Sequence, residues 1–164
     1  MTAVSLKKIL RDANKNNYAV AGLVVLAWDD ALAFTKAADE TGVPIILQAG
    51  PSCRAHTPVP LLGKMFRYLA SQTKTHVCCH IDHGYTFREC VEGIDSGFTS
   101  VMFDGSKLSL KDNIKTTSKI VKKAHDAKVS VEGEIGFVGY ANGKSSEGTL
   151  PKEAITFAKE SNID

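Results

Sequence analysis

The stretch HVCCHIDHGYTFREC, residues 76–90, holds one complete transition from a strand to a helix. Its first half, HVCCHID, is an apolar segment of the length that is typical of a buried strand. Thr86 and Glu89 then form a capping box, which marks the first turn of a helix. Asp82 and His83 come at the point where the strand ends. The stretch therefore predicts one βα unit with ionisable side chains at the carboxyl end of its strand.

Strand and helix patterns alternate along the rest of the chain in the same way. Apolar, β-branched segments that predict strands lie at 19–26, 44–49, 76–82, 99–104 and 129–135. Helical patterns lie near the N-terminus after Ser5, at Asp29–Glu40, at 59–72, and from Thr86, Ser109 and Pro151 onward. Near-continuous apolar strands that alternate with helices indicate a parallel sheet covered by helices. We therefore expect an α/β fold in one domain over residues 1–164.

Two parallel architectures are consistent with five βα units. One is an open doubly wound sheet, and the other is part of a (β/α)8 barrel, which typically needs roughly 250 residues. A doubly wound sheet that binds a dinucleotide has a glycine-rich turn after its first strand. Here the first strand is followed by Ala27-Trp28-Asp29-Asp30, without the pattern G-x-G-x-x-G. This difference weakens the dinucleotide interpretation and leaves both architectures open.

Composition and charge indicate an ordinary globular protein. The 164 residues carry a formal net charge of +2, and 43% of them are hydrophobic. A charge this small and evenly spread argues against nucleic acid or an anionic membrane as a partner. No apolar run approaches the roughly 20 residues that a membrane span needs, and no signal peptide is recognisable. The four cysteines show no C-x-x-C spacing, so we expect free thiols in a cytoplasmic protein.

Three of the predicted strands end in polar residues. Buried carboxylates at such positions must be hydrogen-bonded, paired with a cation or bound to a metal. A divalent metal site with one or two catalytic carboxylates beside it is therefore predicted from Asp82, His83, Asp104 and Glu134. Glu132 shares a strand face with Glu134 and is expected either to form an ion pair inside the barrel or to support the site.

Other polar residues receive different expectations. His80 shares a face with Asp82 in a regular strand, and we expect it to form hydrogen bonds on that face, which is the inner one if the sheet closes into a barrel. His83 would then face the other way unless the chain already turns at Gly84. Residues 53–57 are expected to form a loop near the same face, with His56 as a candidate for substrate contact.

Three segments together resemble a known family. HIDHGYTFREC, GFTSVMFDGS and VSVEGEIGFVG are similar to segments of the metal-dependent class II fructose-bisphosphate aldolases, a family that includes the tagatose-bisphosphate aldolases. The resemblance runs over nearly all of the chain. It implies a (β/α)8 TIM barrel, of which this chain covers about the first five βα units, with zinc at the C-terminal face. It also implies cleavage of a ketose bisphosphate, such as fructose 1,6-bisphosphate, into dihydroxyacetone phosphate and an aldehyde phosphate.

The resemblance implies a role for each matching residue. Asp82 would be the catalytic acid or base at the C4 oxygen, and His83 would be one of three histidine ligands of zinc. Asp104 and Glu134 would hold a second or alternative cation, and Glu147 would be the acid of a mobile loop. The resemblance further implies a sugar phosphate substrate, a role in carbohydrate metabolism such as glycolysis, and a dimer or tetramer when the chain is complete.

Some features of the family fall outside this sequence. The other two zinc histidines follow strands six and seven in the family, whereas this sequence stops at Asp164, where strand six should begin. Five βα units leave two open strand edges, and one histidine is fewer than the three protein ligands that catalytic zinc usually has. We therefore expect a fragment of a longer chain. The alternative is a catalytically inactive half-barrel that serves only as a structural or interaction module.

Overall fold

The computed structural model describes residues 2–136 and 148–164 of the chain. Five parallel strands form one sheet in these residues: β1 (Ala21–Val24), β2 (Ile45–Ala49), β3 (Val77–Gly84), β4 (Ser100–Asp104) and β5 (Ser130–Glu134). The helices are α1 (Leu6–Lys15), α2 (Trp28–Thr41), α3 (Pro51–His56), α4 (Val59–Gln72), α5 (Phe87–Asp95), α6 (Leu110–Asp126) and α7 (Pro151–Ser161).

The strands lie in the sheet in the order β1-β2-β3-β4-β5, and each neighbouring pair is parallel. A doubly wound sheet reverses its strand order at a switch point, whereas a (β/α)8 barrel keeps chain order throughout. The strand order therefore agrees with the barrel and decides between the two architectures.

The helices begin at the capping residues that the sequence indicates. Thr86 Oγ1 accepts a hydrogen bond from Glu89 N at 3.1 Å, and Glu89 Oε2 accepts one from Thr86 N at 3.0 Å. The hydroxyls of Ser5 and Ser109 cap α1 and α6 by accepting hydrogen bonds from the backbone N of Lys8 and of Asp112, without the reciprocal bond. Such caps satisfy backbone N–H groups that have no partner within the helix. They set the start of each helix without help from distant parts of the chain.

The prediction of a loop at residues 53–57 is wrong in part. Residues Pro51–His56 form the short helix α3, which begins directly after β2. Pro51 lies in its first turn, where the missing N–H of proline costs nothing. Cys53 is buried, so α3 is anchored to the core at the carboxyl edge of the sheet.

The two faces of the sheet bury different residues. The outer face packs apolar side chains against the helices, among them Leu47, Ile81 and Phe103. On the inner face, Ile46 and Cys78 pack against α1, which covers the lower end of the sheet. All four cysteines are buried free thiols, as the sequence predicts.

The upper part of the inner face is polar. Its residues come into line because parallel strands pair in register and side chains alternate between faces. Gln48 pairs with His80, His80 pairs with Ser100, and Asp104 pairs with Glu134. The carboxyl ends of β3, β4 and β5 therefore present their polar side chains to one concave surface.

None of the helices in the described part of the chain combines the length and the apolar character that crossing a bilayer requires.

Candidate metal centre

His83, Asp104 and Glu134 form a compact cluster at the carboxyl ends of β3, β4 and β5. His83 Nδ1 lies 3.0 Å from Asp104 Oδ2 and 3.3 Å from Glu134 Oε2. One ligand atom from each residue can be chosen so that all three lie within 4.8 Å of one another. One imidazole and two carboxylates at this spacing are a donor set that zinc and other divalent cations accept.

His83 reaches this cluster through an irregularity in β3. In a regular strand, Asp82 and His83 would point to opposite faces of the sheet. The register between β3 and β4 shifts between Ile81 and Gly84, and His83 has a φ of 51°. The bulge and the left-handed backbone turn the imidazole toward the inner face, beside Asp82. The direction of His83, which the sequence left open, is thus set by a turn at His83 itself, one residue before Gly84.

Gly84 allows the bulge to pack closely. A Cβ atom at this position would lie 2.9 Å from Cys90 Sγ and 2.9 Å from the backbone oxygen of Met102. Such distances are shorter than normal van der Waals contacts, so a larger residue would push β3 away from α5 and β4. The glycine therefore serves close packing next to the site.

Arg54, on α3, fixes the end of β3 from behind. Its Nη1 donates hydrogen bonds to the backbone oxygens of Ala49 and Asp82, and its Nη2 donates to the oxygen of His83 at 2.9 Å. The sequence-based interpretation assigned no role to Arg54. Its signal in the sequence is a lone cation shortly after a strand, which is common in surface loops and therefore unspecific.

The cluster is strongly coupled electrostatically. Burial alone would lower the pKa of His83, but the hydrogen bond with Asp104 and the charges of Asp82, Glu134 and Asp104 raise it overall. The pKa of Asp104 is lowered: burial would raise it, and hydrogen bonds from Ser106 and His83 outweigh that effect. Burial and the charge of Asp104 raise the pKa of Glu134. Two carboxylates thus compete for one imidazole.

The surroundings of Glu134 are consistent with a bound cation. Its Oε2 atom is buried and accepts no hydrogen bond from the described residues. His83 Nδ1 approaches it, but this nitrogen lies closer to Asp104. A buried carboxylate oxygen without a donor is unfavourable unless a cation compensates for it. The residues present therefore fit a divalent metal ion at this position.

Asp82 lies beside the cluster without being one of its three members. It is half-buried, and its Oδ1 lies 3.5 Å from Gln48 Nε2, which acts as a donor. Its charge raises the pKa of His83 and of Glu132, so it is close to both. The structure therefore places the Asp82 carboxylate next to the cluster of His83, Asp104 and Glu134.

His80 and Glu132 lie on the same inner face. His80 is buried; its Nδ1 is 2.9 Å from Ser100 Oγ, and its Nε2 is 3.4 Å from Glu132 Oε2. Burial, with smaller contributions from the charges of His83 and Arg54, lowers the pKa of His80 to about 4. His80 is therefore a neutral hydrogen-bonding residue inside the barrel, as expected. Burial raises the pKa of Glu132, with Asp82 contributing.

Glu147, the remaining candidate from the sequence, lies outside the described residues.

Comparisons with known proteins agree with this geometry. The family model described as fructose-bisphosphate aldolase class-II matches residues 4–164. The fructose-bisphosphate aldolase of Staphylococcus epidermidis is 35% identical over 173 residues, which cover 100% of this chain and 60% of the relative. The fructose-bisphosphate aldolase of Helicobacter pylori is 34% identical, with 96% of this chain and 53% of the relative covered. The chain therefore spans less than two thirds of the length of these relatives.

Solved structures support the same fold. The YdjI aldolase from Escherichia coli K12 superposes with a TM-score of 0.87 at 26% identity, covering 99% of this chain and 62% of that chain. Fructose-bisphosphate aldolase from Campylobacter jejuni superposes with a TM-score of 0.79 at 22% identity, covering 98% and 54%, and supports the fold alone. The prediction that the chain covers about the first five βα units of a TIM barrel is confirmed. The chain belongs to the class II fructose-bisphosphate aldolase family.

Proposed function

We propose that this chain carries the Asp82 side of the active site of a metal-dependent aldolase. The reaction is the reversible cleavage of a ketose bisphosphate, fructose 1,6-bisphosphate or a similar sugar, into dihydroxyacetone phosphate and an aldehyde phosphate. The observation that carries the proposal is the position of Asp82 beside the cluster of His83, Asp104 and Glu134, in a chain of the class II family. The substrate class follows from the names of the relatives.

Asp82 is the proposed proton carrier. Cleavage between C3 and C4 requires that the C4 hydroxyl lose its proton while the carbonyl of the aldehyde product forms. The Asp82 carboxylate accepts this proton in cleavage and returns it in condensation. Gln48 donates to Asp82 Oδ1 and orients the carboxylate, leaving the other oxygen toward Gly50, where a Cβ atom would be 3.5 Å away.

His83, Asp104 and Glu134 are the proposed metal-binding residues. When bound, a divalent cation such as Zn²⁺ supplies Lewis-acid stabilisation of the negative charge that carbon–carbon cleavage leaves on the ketone oxygen. Asp104 and Glu134 add two negative charges, which suit a second or alternative cation position, divalent or monovalent. Glu132 supports the site through its approach to His80.

A complete catalytic zinc site needs further ligands. Catalytic zinc usually has three protein ligands, and His83 is the single imidazole in the cluster. We propose that the remaining ligands, and the phosphate-binding segments, belong to the part of the family that this chain does not align with. We further propose one domain over residues 1–164, and a cytoplasmic homo-oligomer in carbohydrate metabolism when the barrel is complete.

The alternative of an inactive half-barrel is not favoured. A structural module does not require a buried carboxylate oxygen that accepts no hydrogen bond from the described residues, as in Glu134. It also does not require a histidine with a left-handed backbone conformation, as in His83. Asp82, His83, Asp104 and Glu134 all retain side chains suited to chemistry. The observations therefore favour the aldolase.

A chimera tests the proposal. The chain is joined to the aligned remainder of the Staphylococcus epidermidis relative, and release of dihydroxyacetone phosphate from fructose and tagatose 1,6-bisphosphates is measured with Zn²⁺ and with a chelator. We expect zinc-dependent turnover that is lost in the Asp82→Ala variant. The relative's segment alone serves as a control for background. A folded, zinc-loaded chimera without turnover on either sugar would contradict the proposal.

A further inference from the structure

The conformation of His83 needs support from the rest of the molecule. Its φ of 51° places it in the left-handed region, which residues other than glycine occupy uncommonly. Such a conformation persists where the surrounding structure holds it in place. It is also the feature that turns the imidazole from the outer face of the sheet to the inner one. The contacts that stabilise this backbone conformation therefore also determine that the His83 imidazole faces the proposed metal site.

The regular sheet does not hold it. The register with β2 ends at Ala49 and Ile81, and the register with β4 passes from Ile81–Val101 directly to Gly84–Phe103. Asp82 and His83 thus fall outside the regular ladder of both neighbouring strands. Their carbonyl oxygens need donors from another element, because buried backbone oxygens are nearly always hydrogen-bonded.

We propose that Arg54 is the positioning residue that holds His83 in its metal-facing conformation; the inference rests on the proposed metal site. The guanidinium binds the oxygens of Asp82 and His83 together, and it also binds the oxygen of Ala49 at the end of β2. It therefore replaces the missing ladder and ties the bulge of β3 to its neighbour. Arg54 contacts backbone atoms here, and its positioning effect on the metal passes through His83.

The geometry requires arginine rather than a generic cation. Two nitrogens of one planar guanidinium reach three carbonyl oxygens, an arrangement that a lysine ammonium on a flexible stem cannot reproduce. The helix α3 delivers the side chain: Arg54 N donates to Gly50 O at 3.1 Å, and buried Cys53 anchors the same turn. Hydrogen bonds therefore hold both the backbone and the guanidinium of Arg54.

The positive charge of Arg54 and its positioning role affect metal binding in opposite directions. A guanidinium close to a cation site repels the cation, so the loss of its charge alone should strengthen metal binding. Loss of the positioning role should weaken metal binding, because His83 is then free to leave the inner face. The two effects have opposite signs.

The experiment compares Arg54→Gln, Arg54→Lys and the control Arg67→Gln in the full chain. Arg67 is also half-buried, but it lies on α4, where its Cγ faces Gly97. The first measurement is the backbone coupling and Cα shift of His83 by NMR in the metal-free chain. The second is the affinity for Zn²⁺ by competition with a chromophoric chelator. Circular dichroism and thermal unfolding establish that each variant is folded.

We expect Arg54→Gln to move His83 out of the left-handed region and to weaken Zn²⁺ binding at least tenfold. Arg54→Lys keeps the repelling positive charge but loses the planar fork, so it should weaken Zn²⁺ binding at least as much as Arg54→Gln. It replaces Arg54→Gln if that variant does not fold. Arg67→Gln should change neither measurement. Unchanged His83 signals, or unchanged or tighter Zn²⁺ binding, in a folded Arg54 variant would overturn the inference. Neither readout uses turnover, so a failure of the aldolase proposal is seen separately in the chimera.

Discussion

His83 Nδ1 lies 3.0 Å from Asp104 Oδ2, across the junction between β3 and β4. Asp104 is held in turn by Ser106, whose N and Oγ donate to Asp104 Oδ1 at 3.1 Å and 2.6 Å. Asp104 is therefore fixed on one oxygen and offers the other to His83. The pair sets both the direction and the protonation of the imidazole, and it links the turn after β4 to the bulge in β3.

Zn²⁺ binding should depend on pH through His83. The net effect of its surroundings raises the pKa of His83 above the ordinary value of 6.5. Because a metal ligand must be deprotonated, protons compete with the metal until the pH exceeds this raised pKa. We expect the affinity of the chain for Zn²⁺ to rise as pH is increased from 6 to 8, measured by chelator competition. The slope should flatten in His83→Gln and persist in His56→Gln; an unchanged slope in His83→Gln would exclude this ligand.

Glu134 should matter more for the metal than Glu132. Glu134 belongs to the cluster and has a buried oxygen that no described residue serves as donor, whereas Glu132 lies next to His80 and exposes 46% of its side chain. We expect Glu134→Gln to weaken Zn²⁺ binding by roughly 10–100-fold, the range found even for outer-shell partners of metal ligands. Glu132→Gln is the matched control and should have a smaller effect. Equal losses in calorimetric titrations of both variants would argue against this assignment.

Asp82→Asn should separate chemistry from metal binding. The amide keeps the size of the side chain but removes its basicity, and Asp82 is not one of the three clustered donors. In the chimera described above, we expect kcat to fall by about 10²–10⁴-fold, the usual contribution of a general base. Bound zinc per chain should stay as in the parent. Asp126→Asn, exposed on α6, is the control. A parental rate in Asp82→Asn would remove Asp82 from the mechanism.

His80 should make the fold sensitive to acid. Its pKa falls from 6.5 to about 4 on folding because burial disfavours the imidazolium. The unfolded chain therefore takes up this proton near pH 6.5 and the folded chain only near pH 4, so stability is lost as pH falls between these values. The loss is about 3 kcal/mol at most.

Urea unfolding between pH 7 and pH 4.5 measures this effect. His80→Gln should lose less stability over that range than the parent, whatever its stability at pH 7. His56→Gln, exposed on α3, should keep the parental dependence. A parental dependence in His80→Gln as well would show that other groups are responsible.

Gly84→Ala should destabilise the chain. The added Cβ would lie 2.9 Å from both Cys90 Sγ and Met102 O, and the backbone oxygen cannot move without disturbing β4. Overpacking of this kind costs about 1–3 kcal/mol. Gly148→Ala is the control, since no atom of residues 2–136 or 148–164 lies within 4 Å of a Cβ there. Chemical denaturation should show a lower midpoint for Gly84→Ala alone, and equal midpoints would indicate that the bulge relaxes freely.

Much of the fold was predictable because its signals are local. The capping box at Thr86 and Glu89 depends on residues three apart, and it forms as the sequence indicates. The apolar strand segments between helical patterns likewise predict parallel βα units before any tertiary contact is known. Helix α3 was missed, because Pro51–His56 is too short to show a helical periodicity.

Part of the site was predictable for the same reason. Carboxyl ends of parallel strands meet at one edge, so Asp82, Asp104 and Glu134 were expected near one another. The sequence also placed His80 correctly inside the barrel, from the two-residue period alone. The same period puts His83 on the opposite face unless the chain turns, so it did not decide to which face the imidazole points.

The sequence by itself determined the order of the elements, their caps, the inward-facing rows of the strands and the family to which the chain belongs. Only the tertiary structure decided that His83 turns inward beside Asp82, that Arg54 binds the backbone at this turn, and that Glu134 Oε2 has no donor among the described residues. Periodicity and capping depend on residues that are close in the chain, so a short segment of sequence is enough to predict them. The bulge in β3, the hydrogen bonds from Arg54 to β3 and the environment of Glu134 Oε2 depend on contacts between distant segments. No local sequence pattern contains such contacts.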